Sequence, residues 1–402
     1  MTKPIFLLGA YDRFNYGDLL FPIIVEKALR SRNSSLQFAA HALVESDLSE
    51  FGAVKTLPIR ALFKPGYVPE GSTVIVAGGG VLGSSWHAMN MNLSVGLKTS
   101  LLYYAAKFLG VRAINELSRY RFGSPSPWPW IIDPDHLPPG VKVIYNSVGG
   151  SYLARLPVME RDQIILALSR ASYISVRDQA TKSLLAPMDQ NDNVKLVPDS
   201  AVVMSDLFPI TWLTQHVEPS TNEFLNRPKK YFCFQMWNGW QASRIDELAV
   251  VLDDLAEEIN ATPLLLPIGR AQGHEDHIGL TQLCGLMKSD AILPKANISI
   301  FDIMHLIANS SLFIGTSLHG AVTSESYSVP HLGLEDVIKL QHYRESWEIE
   351  GQDQCTGIEK LISQSKKVLA IPQEARDENR DRLLAATRDN FDNIAAAIAA
   401  EV

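Results

Sequence analysis

The chain has 402 residues, which exceeds the usual size of one hydrophobic core and predicts two domains of roughly 150 to 200 residues each. Its composition, with 46% apolar and 20% charged residues, is that of an ordinary soluble globular protein. The net charge of -8 argues against a general nucleic-acid binder, although a local basic pocket for a small anion is compatible with it.

The cysteines and the apolar runs indicate which cellular compartment to expect. Cys233, Cys284 and Cys355 are widely spaced and odd in number, and no pair has the spacing of a zinc site or a redox dithiol. Reduced thiols in a cytoplasmic protein are therefore expected. The apolar run near the N-terminus is too short for a signal sequence, and no later run reaches transmembrane length. Any membrane association is expected to be peripheral.

The first half of the chain alternates apolar runs with amphipathic stretches. The apolar runs predict buried strands, which are Ile5–Leu8, Val74–Ala77, Val141–Ser147, Tyr173–Val176 and Val194–Val197. Amphipathic helices are predicted between them, for example at Leu20–Arg30 and Arg161–Ala171. Because strands separated by helices form parallel sheets with crossover connections, this half predicts a Rossmann-like α/β domain.

A second unit of the same kind begins at Tyr231. Its predicted elements are strand Tyr231–Gln235, helix Ile245–Ile259, strand Pro263–Pro267, a short strand near Ile298–Ile300, helix Asp302–Ala308 and strand Leu312–Gly315. The alternation lapses in the polar, proline-containing stretch 208–230. We therefore expect domains at residues 1–210 and 211–371. Residues 372–402 are expected to be helical, and either pack back on the first domain or form an exposed cap or oligomer contact.

The most specific local signal is a histidine at a strand-to-helix turn. Ser311–Ile314 predicts a buried strand, and Ala321–Tyr327 predicts a helix that Thr316 or Ser317 caps. Open α/β sheets bind ligands beyond the carboxyl ends of their strands, and the first amides of a helix favour an anion there. His319 is therefore expected in a ligand site.

Two earlier turns have the same character. The strand at Ile5–Leu8 leads into Gly9 and Gly17, which permit close backbone approach, and into Asp18, a good helix cap. The strand at Val74–Ala77 leads into three consecutive glycines, which let a ligand or another backbone lie against the main chain.

Taken in order, these segments resemble the polysaccharide pyruvyl transferase family over about residues 5 to 333. The segments that carry the resemblance are Asn15-Tyr16-Gly17-Asp18, Val76-Ala77-Gly78-Gly79-Gly80, Ser147-Val148-Gly149-Gly150, Tyr173-Ile174-Ser175-Val176-Arg177-Asp178, Val197-Pro198-Asp199-Ser200, Ser317-Leu318-His319-Gly320 and Ser328-Val329-Pro330. The resemblance implies a GT-B-like architecture, in which two Rossmann-like domains face a cleft. It also implies transfer of a pyruvyl group from phosphoenolpyruvate to a sugar diol of a polysaccharide or glycan precursor. That reaction forms a ketal, releases phosphate, and needs neither a metal nor an organic cofactor.

His319 and Arg177 are the predicted catalytic residues. A histidine at a strand end can exchange protons in the cleft, and a helix N-terminus favours its neutral form in the free protein. A bound anion favours the protonated ring instead, so His319 can be either the general base or the general acid. Arg177 can bind a carboxylate or phosphate with two parallel hydrogen bonds, or else pair with Asp178 or another carboxylate.

Members of the family carry an arginine two residues before the histidine, where this chain has Ser317. Arg13 and Arg270 follow other predicted strands and are the expected substitutes. The other positions expected to bind substrate are Asn15, Gly17, Asp18, Gly79, Gly80, His274 and Ser317.

Two further segments have more than one interpretation. The four residues His274–His277 cannot all converge on one ion, so no metal site is expected, and His274 and Asp276 are expected to line the cleft. The proline- and tryptophan-rich segment 120–140 is expected to be an ordered loop or a mobile lid. Its tryptophans either pack locally or contact the acceptor sugar.

Two alternative functions stay open. A GT-B glycosyltransferase that uses a nucleotide sugar would place Glu325 or Glu335 on the ribose. A catalytically silent relative that serves binding or assembly is also compatible with the serine at position 317.

Overall fold

A computed structural model describes residues 3–94, 104, 107–189, 193–227, 230–295, 298–349, 352 and 354–400. Within these ranges, twelve strands form two sheets. The first sheet contains β1 (Ile5–Leu8), β2 (Phe38–Ala42), β3 (Ser46–Asp47), β4 (Lys55–Pro58), β5 (Thr73–Ala77), β6 (Lys142–Val148), β7 (Tyr173–Val176) and β8 (Val194–Leu196). The second sheet contains β9 (Tyr231–Gln235), β10 (Thr262–Leu265), β11 (Phe313–Gly315) and β12 (His331–Gly333).

Helices cover and connect the strands. Those around the first sheet are α1 (Tyr16–Arg30), α2 (Trp86–Asn92), α3 (Val111–Phe122), α4 (Val158–Leu168) and α5 (Gln179–Leu184). The connection to the second sheet contains α6 (Met204–Leu207), α7 (Ile210–His216) and α8 (Pro219–Leu225). The remainder are α9 (Ile245–Glu258), α10 (Asp276–Leu286), α11 (Ile300–Ala308), α12 (Leu318–Ser326), α13 (Ile338–Trp347), α14 (Leu361–Leu369) and α15 (Gln373–Ala399).

The order of the strands determines where a ligand can bind. The first sheet has the order β3-β4-β2-β1-β5-β6-β7-β8, and its pairs are parallel except for β3 with β4. The second sheet is parallel, in the order β10-β9-β11-β12. The order reverses between β1 and β5 in the first sheet and between β9 and β11 in the second. Ligand crevices form at such reversals, outside the carboxyl ends of the strands.

The central strands are apolar because they are covered on both faces. All five residues of β5, Thr-Val-Ile-Val-Ala, are buried, as are the four residues of β1. Continuous apolar runs of this kind are typical of parallel sheets that helices cover on both sides. The predicted strands Ile5–Leu8, Tyr173–Val176 and Tyr231–Gln235 are confirmed with the same bounds.

The two sheets are joined through the loop that follows β1, which is called the first loop below. Tyr16 donates its backbone N–H to the carbonyl of Ile268 at 3.2 Å, and Arg270 donates its own to the carbonyl of Phe14 at 3.0 Å. One continuous hydrophobic core includes Leu19 of α1 and Val322 of α12. These contacts hold the loop after β1 against the loop after β10, so the two crevices face each other.

Two predicted elements are corrected, and one stretch without predicted elements contains helices. Ile300 begins α11 instead of ending a strand, because Ser299 and Asp302 form a reciprocal capping box. α1 begins at Tyr16, so its N-cap position is Asn15, and Asp18 lies in the first turn. The stretch 208–230 contains helices, because Pro209 and Pro219 occupy helix starts, where proline is tolerated, and do not break them.

In the segment 120–140, α3 ends at Phe122, and Trp128 and Trp130 in the loop that follows are buried in the core beside the first sheet. With Trp130 only 1% exposed, its packing does not suit a mobile lid.

α15 packs against the first sheet. The Tyr173 hydroxyl donates to Oδ1 of Asn390 at 2.9 Å, and Nζ of Lys142 donates to the carbonyl of Ile398 at 2.9 Å. The division into residues 1–210, 211–371 and 372–402 stays a prediction. In the described ranges, no helix is both long enough and apolar enough to cross a membrane.

Candidate active site

A cleft of about 490 Å³ lies where the two crevices meet. Residues that follow β1, β5 and β7 line one side, and these include Arg13, Asn15, Asp18, Gly79, Gly80 and Arg177. Residues from the second sheet and its loops line the other, and these include Gln235, His274, Asp276, Ser317, His319 and Lys339. The structure thus brings nearly all the predicted site residues to one place.

A buried carboxylate connects the two predicted catalytic residues. Oδ2 of Asp199 accepts a hydrogen bond from Nη1 of Arg177 at 2.8 Å and lies 3.7 Å from Nε2 of His319. The side chains of Arg177 and Asp199 are 1% and 0% exposed. Arg177 therefore pairs with Asp199, and not with Asp178, which caps α5. Asp199 was part of the family resemblance but carried no predicted role.

Glycines make room for the side chains of both predicted catalytic residues. A Cβ on Gly17 would lie 1.8 Å from Nδ1 of His319. A Cβ on Gly79 would lie 2.8 Å from Nη1 of Arg177, and one on Gly149 would lie 2.9 Å from its Nε. Gly17 is thus not part of the cleft wall itself, and allows the histidine ring to lie against α1.

His319 is neutral in this environment. Burial lowers its pKa to about 4, with Arg177 and Lys339 acting in the same direction and Asp199 opposing them. The ring packs edge-on against Phe21 at a centroid distance of 5.2 Å. The neutral form was predicted from the helix N-terminus, but burial is the largest cause.

The first loop presents a guanidinium to the cleft. Nε of Arg13 donates to Oδ1 of Asp12 at 3.0 Å, and the other oxygen of Asp12 accepts the backbone N–H of Val44. Nη2 of Arg13 is buried without a hydrogen-bond partner among the described residues. Beside it, Nδ2 of Asn15 donates to Oδ2 of Asp18 at 2.7 Å, and burial raises the pKa of Asp18.

Asp276 holds three strand-end loops together. Its Oδ2 accepts hydrogen bonds from the backbone of Gly269 at 2.8 Å and from Nε2 of Gln235 at 2.8 Å. Oε1 of Gln235 in turn accepts the backbone N–H of Ser317 at 2.8 Å. Oδ1 of Asp276 is buried without a partner in the described part of the chain, and burial raises its pKa to about 6. His274, two residues earlier, also lines the cleft, and burial lowers its pKa to about 4.

Ser317 serves the helix that carries His319. Its Oγ accepts the backbone N–H of Gly320 at 3.2 Å, which makes it the N-cap of α12. An uncharged cap therefore stands where the family carries an arginine.

The expected cleft position of Arg270 is wrong. Its guanidinium lies over the Phe14 ring, 3.4 Å from the centroid, and 4.6 Å from that of Phe51. Burial lowers its pKa to about 10. Arg270 does not line the cleft, because its backbone pairs with Phe14 and turns the side chain onto the first loop.

The acidic residues that a nucleotide ribose would need are also placed differently. Glu325 is buried and accepts a hydrogen bond from the Tyr343 hydroxyl at 2.9 Å, and neither it nor Glu335 lines the cleft. Glu325, His331 and Glu348 are close enough together to suggest a metal site. However, Nη1 of Arg344 lies 3.0 Å from Glu348, so a guanidinium already supplies the positive charge there.

Lys339 is a cleft residue that the sequence did not indicate. It lies in the first turn of α13, which follows β12. A three-residue strand such as β12 is too short to show periodicity, so no strand-end turn was predicted there.

Solved structures with this architecture show the fold class of the chain. UDP-GlcNAc 2-epimerase of Methanocaldococcus jannaschii, in complex with UDP-GlcNAc and UDP, has a TM-score of 0.53 at 13% identity, covering 93% of this chain and 94% of that chain. UDP-GlcNAc 2-epimerase of Neisseria meningitidis, bound to UDP-GlcNAc, has a TM-score of 0.54 at 11% identity, covering 99% of both chains. At such identities the likeness concerns the fold alone, which is GT-B-like with two Rossmann-like domains.

Sequence comparison then gives the family. The profile of the polysaccharide pyruvyl transferase family matches residues 15–336. This match covers most of the chain, so the chain belongs to the polysaccharide pyruvyl transferase family, as the sequence segments predicted. No curated protein matches the chain in sequence.

Proposed function

We propose that this chain transfers a pyruvyl group from phosphoenolpyruvate to two hydroxyls of a sugar in a polysaccharide or glycan precursor. The products are a cyclic ketal and phosphate. Family membership supports a pyruvyl transferase. The observation that carries the proposal further is the convergence of two guanidinium groups and a neutral histidine on one buried cleft.

The donor carries a carboxylate and a phosphate, and guanidinium groups suit both. Nε of Arg177 and Nη2 of Arg13 are buried without hydrogen-bond partners over the described ranges. Asp199 and Asp12 hold these two side chains in place through hydrogen bonds. Each arginine thus keeps donor groups for an anion while its position is already set, which suits planar anion recognition.

His319 is the proton-transfer group of the proposal. An anionic donor beside the ring raises the histidine pKa, so the ring takes up a proton when the donor binds. The imidazolium gives this proton to the methylene carbon, which becomes the methyl group. The neutral ring then accepts the proton of the first attacking hydroxyl. The second sugar hydroxyl closes the ketal ring as the bond to phosphate breaks. The proton of this second hydroxyl leaves with the phosphate.

Aromatic side chains give the acceptor a surface. Trp237 and Tyr152 line the cleft from opposite domains, and Tyr152 is 42% exposed. Aromatic faces can pack against the C–H groups of a sugar. We therefore place the acceptor between these rings and His319.

The direct test is turnover. The protein is incubated with phosphoenolpyruvate and a panel of sugars that carry neighbouring hydroxyls, and phosphate release and the ketal methyl signal in proton NMR are followed together. The proposal expects both signals, in equal amounts, only when donor and acceptor are present. Sugar transfer from UDP-GlcNAc under the same conditions, with no reaction of phosphoenolpyruvate, would instead indicate a glycosyltransferase.

A further inference from the structure

Large apolar and aromatic side chains are exposed on and just before α3. Six of them are each more than half exposed and are called the apolar patch below: Tyr104, Phe108, Leu109, Val111, Leu117 and Tyr120. Phe108 and Tyr120 are 85% and 87% exposed. None of these six described residues lines the cleft. Exposed apolar side chains that are concentrated in this way mark a surface that contacts a protein or a membrane.

α3 has an inner face that packs and an outer face that does not. The residues buried on its inner face are Ile114, Ser118 and Phe122. Their spacing of four residues places them on one side of the helix. Nδ2 of Asn90 in α2 donates to Oγ of Ser118 at 2.9 Å, which fixes this side against α2. Leu117 and Tyr120 therefore point away from the protein, on the opposite side of α3.

The same stretch is basic in an acidic protein. Residues 104–122 contain the basic residues Lys107, Arg112, Arg119 and Arg121 and one acidic residue, Glu116, which gives a net charge of +3, whereas the whole chain has a net charge of -8. Arg112 and Arg121 are exposed and lie on either side of the row that Leu117 and Tyr120 form along α3. A helix whose apolar outer face is flanked by cations is typical of segments that lie in the headgroup region of a membrane.

The charge favours a membrane over a second copy of this chain. A symmetric contact between two copies would bring the same patch of each copy together, and the two positive charges would repel. An anionic lipid surface complements that charge. Tyrosine rings suit the boundary between headgroups and acyl chains, and long basic side chains can extend from this boundary to lipid phosphates.

The apolar patch lies one helix away from the cleft. α3 packs on α2 through Asn90 and Ser118, and Met89 and Asn92 of α2 line the cleft. A membrane bound to the outer face of α3 would therefore hold the cleft near the bilayer surface.

We propose that the apolar patch docks this protein on an anionic membrane surface. Phe108, Leu117 and Tyr120 enter the headgroup region, and Lys107 and Arg112 contact lipid phosphates. This contact is peripheral, and it does not depend on which reaction the cleft performs.

The test is flotation of the full chain with lipid vesicles in a density gradient. Vesicles of phosphatidylcholine with about one-third phosphatidylglycerol are expected to bind the protein at least about tenfold more tightly than pure phosphatidylcholine vesicles, because only the former attract the basic residues. Added salt should weaken this binding, since it screens exposed charges.

Two pairs of substitutions separate the apolar from the ionic contribution. Phe108→Ser with Tyr120→Ser should weaken binding to the anionic vesicles at least about tenfold, because two rings no longer bury apolar surface. Lys107→Gln with Arg112→Gln should weaken it about fivefold or more and reduce its dependence on salt.

The matched controls change exposed residues far from α3 in the sequence. Val250→Ser with Ile278→Ser replaces side chains that are 53% and 50% exposed, and Lys360→Gln with Lys367→Gln removes two exposed cations. Both controls should bind the vesicles as wild type does. Thermal unfolding shows that each variant is folded, which is expected because all the substituted side chains are exposed.

Three results would overturn the proposal. One is a wild-type chain that does not bind the anionic vesicles or binds both vesicle types equally. Another is folded Phe108→Ser, Tyr120→Ser protein that binds the anionic vesicles as tightly as wild type. The third is a wild-type chain that self-associates in sedimentation velocity without binding vesicles and becomes monomeric with the same two substitutions, because the patch would then join copies of the chain.

Discussion

The two sides of the cleft have different chemical characters. On the side of the first sheet, Arg13 and Arg177 are each fixed by a buried carboxylate, and glycines shape the space around Arg177. On the side of the second sheet, His319 and Asp276 have strongly shifted pKa values. In the proposed function, the first side receives the anion, and the second side carries the groups whose protonation changes during the reaction.

The largest expected effect is on the proton-transfer side. His319→Gln should lower turnover roughly 100-fold or more, the usual contribution of a positioned acid or base. Donor affinity should change little, because Arg13 and Arg177 stay in place. Single-turnover phosphate release measures the first quantity, and calorimetry measures the second. Near-normal turnover by the folded variant would remove His319 from the mechanism.

The same histidine predicts how stability depends on pH. The pKa of His319 in the folded protein is about 4 and lies below the ordinary value of 6.5. Its contribution to the free energy of unfolding is therefore complete above pH 6.5 and is lost as the pH falls towards 4. The full contribution is about 3 kcal/mol. Chemical unfolding at pH 6.5 and 4.5 should therefore show a smaller loss of stability for His319→Gln than for wild type.

Asp276 should act in the opposite direction. Its folded pKa of about 6 lies above the ordinary 3.8, so it stabilises the folded state below pH 3.8, and this contribution is lost as the pH rises through 6. Asp276→Asn should then lose more stability than wild type between pH 6.5 and 4.5. Identical pH profiles for both variants and wild type would contradict the assigned burial of these groups.

A smaller effect is expected where the two sides touch. Gly17→Ala introduces a methyl group 1.8 Å from Nδ1 of His319, so the ring must move. Turnover should fall about 10- to 100-fold, because a shift of this size misplaces the reacting group. Gly285→Ala is the control, since its added Cβ would contact nothing within 4 Å. Equal activity of the two variants would show that the ring is not seated against α1.

The smallest effect is predicted for Arg270. Arg270→Met should leave donor affinity unchanged, because its guanidinium lies on Phe14 and not in the cleft. The free energy of unfolding should fall by about 1 kcal/mol with loss of the cation–π contact. A tenfold loss of phosphoenolpyruvate affinity would place Arg270 in the donor site after all.

Long apolar runs and strand-end turns could be predicted from the sequence. β1, β7 and β9 are continuous and, apart from the first residue of β7, buried, so their bounds were correct. The residues after them do meet at one cleft. The four-residue β4 and the three-residue β12 contain too few apolar residues to show a period, and they were not predicted. Without β12, the turn that leads to Lys339 could not be recognised.

The direction of side chains was the second feature that the sequence could not predict. Arg270 follows a strand as His319 does, yet the pairing of its backbone with Phe14 turns it away from the cleft. That pairing joins residues far apart in the sequence, so no local pattern reveals it. The sequence left the partner of Arg177 open for the same reason, since Asp199 lies 22 positions further along the chain.

The most direct test of the central claim is equilibrium titration of the wild-type chain and Arg177→Lys with phosphoenolpyruvate and, separately, with UDP-GlcNAc. The account predicts saturable binding of phosphoenolpyruvate that weakens about tenfold in Arg177→Lys, because the lysine keeps the charge but loses the two-pronged geometry. It predicts no binding of UDP-GlcNAc that depends on Arg177. Binding of UDP-GlcNAc that Arg177→Lys weakens, together with no binding of phosphoenolpyruvate, would contradict it.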